Sequence, residues 1–196
     1  GKGALCTLSE HPLKNVNPYI LVNSCEQALK SLAEHYRQAL DIKVVGITGS
    51  VGKTSTKEMI ASVLSQKYNV LKTEGNFNNE IGLPLTIFNI REEHQVAVLE
   101  MGISDFGEMH RLAKMARPDI CVITNIGLCH LENLIDRDGI LKAKTEMFDF
   151  AQPNATIILN GEDDKLITVK DWEGYNPLYF GLSTNKSLPL ASGWYP

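Results

Sequence analysis

No stretch of this chain approaches the roughly 20 apolar residues that a helix needs to cross a bilayer, and no opening run of basic, apolar and small residues marks a secretion signal. A membrane-inserted protein is not expected. Cys6, Cys25, Cys121 and Cys129 are scattered without paired spacing, so neither a disulfide framework nor a zinc site is indicated, and a reducing, cytoplasmic setting is expected. An excess of positive charge is also missing: 19 Lys and Arg stand against 23 Asp and Glu, for a net charge of −4. That balance excludes a general binder of nucleic acid or of acidic membrane surfaces, which needs a basic footprint. Internal repeats and low-complexity tracts are absent as well. What remains is an ordinary globular composition, 43% hydrophobic and 21% charged over 196 residues, which implies one domain with room for a fragment of a second.

The most informative segment is Thr48-Gly49-Ser50-Val51-Gly52-Lys53-Thr54-Ser55. Ahead of it Val44, Val45 and Ile47 read as a buried strand, and behind it Met59, Ile60, Val63 and Leu64 recur at helical spacing. A glycine-rich turn between a strand and a helix is a phosphate cradle. Gly49 and Gly52 let the backbone N–H groups curl around phosphate oxygens, Lys53 supplies a point charge, and the Thr54 hydroxyl can ligate magnesium at the positive end of the helix. The loop departs from the strict P-loop pattern at Ile47, where glycine is usual. The bland alternative is an ordinary strand-to-helix turn.

Ser24 with Gln27 three positions on forms a capping-box start for a helix whose face is Ala28, Leu29, Leu32, Ala33, Tyr36 and Leu40. Further strands are expected at Gln95 to Leu99, Ile120 to Thr124 and Ala155 to Leu159, with a helix from Gly139 to Phe150 whose stripe is Ile140, Ala143, Met147 and Phe150. The alternation predicts an α/β fold with a mostly parallel sheet and helices on both faces, a P-loop-type nucleotide-binding domain. Beyond Asp171 the chain turns to Gly, Pro, Ser and aromatic residues, with one short strand expected at Leu178 to Phe180.

Ligands in such sheets sit beyond the carboxyl ends of the strands, which directs attention to three segments. Glu100 follows the strand Val96 to Leu99; it can reach a magnesium ion or orient a water, or be a plain strand-end carboxylate. His130 follows the strand Cys121 to Thr124 on the same edge. In the run Thr73 to Thr86, Asn76, Asn78 and Asn79 offer uncharged donors and acceptors suited to phosphate or a polar substrate, with loop and cap formation as the alternative. Lys144 lies on the expected helix, and chemistry alone does not separate it from Lys142.

Taken together these residues resemble the central, ATP-binding domain of a Mur ligase, from Lys2-Gly3-Ala4 to about Asp164. The matches are Thr48 and Gly49 opening the phosphate loop, the run from Thr73 through Asn76, Asn78-Asn79 and Ile81-Gly82 to Pro84-Leu85-Thr86, and Glu100-Met101-Gly102. Gly107-Glu108, Pro118-Asp119, Asn125-Ile126-Gly127 with His130-Leu131-Glu132, and Ala143-Lys144 with Glu146 add to them. One departure is Ile135, where such ligases often carry glycine. The asparagine segment points to the subgroup that joins D-alanyl-D-alanine to UDP-N-acetylmuramoyl-tripeptide.

The resemblance implies ATP and Mg2+ as cofactors and an acyl phosphate mechanism in peptidoglycan precursor synthesis. It assigns nucleotide contact to Thr48 through Ser55, substrate contact to Thr73, Asn76, Asn78 and Asn79, and metal to Thr54, Glu100, His130 and a carbamylated Lys144. Lys53, Glu100, His130 and Lys144 become the catalytic set. It further implies residues 1–41 as the tail of an N-terminal UDP-substrate domain, residues 42–196 as the central domain, an absent C-terminal domain, and a monomer that binds nucleotide without ligating. The start at Gly1 without methionine and the stop at Pro196 fit a piece of a longer protein. The rival readings are another amide ligase of this type, such as a folylpolyglutamate synthase, a P-loop kinase or ATPase domain, and a nucleotide-binding module without catalysis.

Overall fold

The structure, a computed structural model, describes residues 3–16, 18–170 and 176–182. Strands β1 (Thr7–Ser9) and β2 (Tyr19–Leu21) pair in parallel ahead of helix α1 (Cys25–Gln38). There follow β3 (Lys43–Thr48), α2 (Lys53–Leu64), β4 (Val70–Lys72), α3 (Gly82–Ile87), β5 (Val96–Glu100), α4 (Glu108–Ala116) and β6 (Ile120–Ile123). Then come α5 (Leu131–Leu134), α6 (Arg137–Thr145), β7 (Thr156–Asn160) and β8 (Leu178–Phe180), with short 3-10 turns at Glu146–Phe150 and Leu166–Thr168.

The main sheet has six strands in the order β4-β5-β3-β6-β7-β8, and every pairing is parallel. Such strands are covered on both faces and read as continuous apolar runs. On β3, Val44 joins the larger core with Ala33 of α1, Leu83 of α3, Leu112 of α4 and Ile140 of α6. Val45 and Ile47 face the other way and meet Ala61, Ile60 and Leu64 of α2. Crossovers leave β3 toward β4 on one side while β6 lies on the other, which places a crevice at the carboxyl end of β3, where ligands bind in such sheets. No helix among the described residues is long and apolar enough to cross a membrane.

The α/β fold and all five expected strands are present; those expected at Gln95 to Leu99 and Ala155 to Leu159 each lie one residue later, at Val96–Glu100 and Thr156–Asn160, and the one expected at Ile120 to Thr124 ends at Ile123. Two helical faces are rotated from expectation. On α2, Met59 and Val63 are 69% and 63% exposed, and the buried stripe is Lys57, Ile60, Ala61 and Leu64. On α1, Leu32 is exposed while Arg37 is buried beside Ala33, Tyr36 and Leu40. Each true stripe follows the i, i+3, i+4, i+7 rule but contains a basic residue, which a search for apolar residues skips. Arg37 satisfies itself by donating to the carbonyls of Ala116, Leu40, Ile42 and Arg117. Only half of the expected capping box forms: Ser24 Oγ accepts from the Gln27 N–H at 3.2 Å, while the Gln27 side chain donates to Ser31. The stretches 171–175 and 183–196 of the Gly, Pro and Ser-bearing tail lie outside the described residues.

Candidate nucleotide and metal site

The phosphate loop turns between β3 and α2. Gly49 has φ +150° and packs so closely on β6 that a Cβ there would come within 1.9 Å of Thr124 Oγ1. Gly52 caps α2 in the left-handed region at φ 79° with no side-chain hydrogen bond. Such a helix start leaves its first amides without intrahelical acceptors and carries the positive end of the helix dipole.

The loop is braced from β6. Asn125 Oδ1 accepts from the Ser50 and Val51 amides at 3.1 and 3.0 Å, its Nδ2 donates to Val51 O at 3.1 Å, and Thr124 Oγ1 donates to the same carbonyl at 2.7 Å. Two of the amides expected to meet phosphate are therefore already bonded. Among the described residues the amides of Gly52, Lys53, Thr54 and Ser55 have no protein acceptor, and these are the donors left to an anion. The Asn125-Ile126-Gly127 segment is itself held by Asp163, which accepts from the Ile126 N–H at 2.7 Å, and by Arg137, whose Nε donates to Ile126 O at 2.8 Å.

Glu100, the last residue of β5 and 2% exposed, is the hub of the site. Thr54 Oγ1 donates to its Oε2 at 3.0 Å, Asn78 Nδ2 donates to its Oε1 at 2.9 Å, and its own N–H donates to Thr73 Oγ1 at 3.0 Å. A buried carboxylate beside a hydroxyl at a helix N-terminus is a hard oxygen donor set that suits magnesium. Lys53 Nζ donates to Gly49 O at 2.8 Å and so rests on its own loop. Thr48, fully buried at the end of β3, carries the one buried side-chain oxygen among the described residues without a hydrogen-bond partner.

Lys144 of α6 is 2% exposed, whereas Lys142 is exposed. Burial, with repulsion from Lys53 and partly offset by Cys129, pushes its ammonium down to about 8. Its amine feels the charges of Cys129 and Lys53, and Cys129 Sγ lies 3.1 Å from Ser50 Oγ of the phosphate loop. His130 is the left-handed cap of α5 at φ 53°, exposed, on the carboxyl edge of the sheet and one residue from that contact. Asn79 Oδ1 accepts from the Ile81 and Gly82 amides and starts α3, Asn76 is exposed, and Thr73 is enclosed. Thus Thr54, Asn78 and Glu100 meet directly, Lys53 lies on the loop, Lys144 is buried on α6, and Thr73 and Asn79 hold the frame.

Ile135 has φ 70° and ψ −61°, and the Asp136 N–H donates to Leu134 O at 2.8 Å across it. This is the rare positive-φ γ-turn, strained for a β-branched residue.

Fold and loop together define a phosphate-binding α/β domain of the P-loop kind. Residues 47–192 match the family model described as the Mur ligase middle domain, and the chain belongs to the Mur ligase family. It is 48% identical over 147 residues to the UDP-N-acetylmuramoyl-tripeptide--D-alanyl-D-alanine ligase of Bacillus subtilis (strain 168), covering 75% of this chain and 32% of that one. The ligase of the same name from Escherichia coli (strain K12) is 38% identical over 164 residues, with coverage of 84% and 36%. Among solved structures, the MurF ligase of Thermotoga maritima in complex with ADP superposes with a TM-score of 0.83 at 37% identity, over 91% of this chain and 42% of that one. The chain thus spans 32% and 36% of the length of these two curated relatives.

Proposed function

We propose that this chain is the nucleotide-binding part of an ATP-dependent ligase that joins D-alanyl-D-alanine to UDP-N-acetylmuramoyl-tripeptide, in the bacterial cytoplasm. In the proposed reaction the free carboxylate of the tripeptide takes the γ-phosphoryl group of ATP, and the amine of D-alanyl-D-alanine then displaces phosphate to leave an amide. The observation that carries this reading is the pairing of Thr54 with Glu100 at 3.0 Å beneath the open first turn of α2, in a chain of this family.

Each residue has a defined task. The Gly52–Ser55 amides and Lys53 would hold phosphate oxygens, and Thr54 with Glu100 would hold magnesium, whose charge would offset that building up on the phosphates. Asn78 fixes the carboxylate that does so. His130, on the same edge, would take part in a second metal contact. Lys144, lowered to about 8, holds an appreciable neutral fraction near physiological pH, and a neutral amine is the form that adds carbon dioxide to give a carbamate. Carbon-13 spectra with labelled bicarbonate should contain a carbamate signal that Lys144→Arg removes; its survival in that variant would exclude this role.

Calorimetry of ADP binding tests the reading as a whole. Lys53→Ala loses a charge-assisted contact of about 1.5–3 kcal/mol, so affinity should fall by about tenfold or more. Unchanged binding would remove the phosphate loop from the mechanism.

A further inference from the structure

Lys57 takes no part in the roles assigned above, yet it is 1% exposed and lies one helical turn beyond Thr54 on α2. Its Nζ donates to Thr73 O at 2.7 Å, stands 3.3 Å from Glu58 Oε1 and lies 3.8 Å from Glu100 Oε2. Among the described residues it is the one cation within ion-pair distance of Glu100. Thr54 and Lys57 are i, i+3 neighbours on one face, so α2 delivers a hydroxyl and an ammonium to the same carboxylate oxygen, Oε2.

We propose that Lys57 is a positioning residue that acts through Glu100, fixing the carboxylate for the metal and tying it to the 73–79 loop; this rests on the metal and nucleotide reading above. Thr73 is the link. Its hydroxyl accepts from the Glu100 N–H at 3.0 Å and its carbonyl accepts from Lys57, so the ammonium braces the backbone and the side chain of Glu100 together. Asn78, from the same loop, holds the other oxygen of the carboxylate at 2.9 Å. The contact to Glu58 has a separate consequence: when Glu100 turns its charge to a metal, Lys57 keeps Glu58 and the Thr73 carbonyl as partners. A buried ammonium can therefore stand beside a metal site without being left unpaired. Groups that orient a metal ligand from behind typically govern affinity for the metal rather than the fold.

The test compares ADP binding with and without Mg2+ for the chain and for Lys57→Met, Glu100→Gln and the double variant, with thermal melts alongside. Lys57→Met should keep metal-free ADP affinity while the magnesium-dependent gain falls by about tenfold or more. In the Glu100→Gln background the same change should remove nothing further, because the effect passes through Glu100. A folded Lys57→Met with the full magnesium gain, or additive losses in the double variant, would overturn the proposal. The Asn78 side-chain amide protons give a readout that needs no nucleotide. Their NMR signals should move to the free-amide position in Lys57→Met, and unmoved signals would refute the bracing. If the wild-type chain has no magnesium-dependent gain, the metal reading fails, and the Asn78 signals still decide the role of Lys57.

Discussion

Replacing Lys144 by Met should make this protein more stable while removing the amine the proposed site needs. The side chain is 2% exposed, and its ammonium is lowered from 10.5 to about 8, first by burial and then by Lys53. The unfolded chain binds this proton more tightly than the fold does, so the charged lysine costs stability in full below the folded value. The cost is relieved as pH rises from about 8 toward 10.5. A difference of that size corresponds to about 3 kcal/mol at pH 7, and about 1 kcal/mol of it is relieved by pH 9. Met fills a similar volume without charge. In urea unfolding, Lys144→Met should therefore exceed the wild type by about 3 kcal/mol at pH 7, and the gap should narrow by about 1 kcal/mol at pH 9. A variant less stable than the wild type, or a gap that does not narrow, would refute the reasoning.

Other substitutions probe the frame around the site. Ile135→Gly relieves a strained γ-turn worth about 1–3 kcal/mol and returns about 0.5–1 kcal/mol in backbone entropy, so the melting temperature should rise by about 2–4 °C; a fall would mean the turn is unstrained. In Gly82→Ala the new Cβ would stand 2.4 Å from the Phe77 backbone. It should cost about 1–3 kcal/mol in urea unfolding and displace Asn78 from Glu100, so an undisturbed melt would contradict the packing. Arg37→Met strips four carbonyls of their donor and should destabilise by several kcal/mol, on the order of 1–3 for each buried group left unmet, read by the same unfolding. A loss under about 1 kcal/mol would mean that water replaces the guanidinium.

The central strands were legible because parallel strands buried on both faces leave unbroken apolar runs, as at Val96 to Leu99. The three-residue β4 left no such trace, since Val70, Leu71 and Lys72 are all half-buried at the sheet edge. The phosphate loop stood out because glycines between a strand and a helix have few other uses. Lys57 and Arg37 did not, because a basic residue within a buried stripe looks like solvent-facing charge until its partners, far away in sequence, are known. Lys57 sits four residues before Ala61, and that spacing is the signal that could have found it. Asn125 was legible as part of a family match but not as a brace. Its bonds to Ser50 and Val51 span more than seventy positions of chain, and no local pattern encodes them.

The bracing of the phosphate loop by Asn125 and Thr124 has a kinetic side. A loop whose bend is set by the neighbouring strand keeps its form between one nucleotide and the next, so arrival requires little reordering of backbone and should be fast. Discrimination then falls to the part that is free to move. Lys53 rests on the Gly49 carbonyl and, in the proposed role, would exchange that oxygen for one belonging to the nucleotide. The mould is rigid and its latch is a single side chain, so a diphosphate and a triphosphate should enter at similar rates and differ mainly in how long they stay.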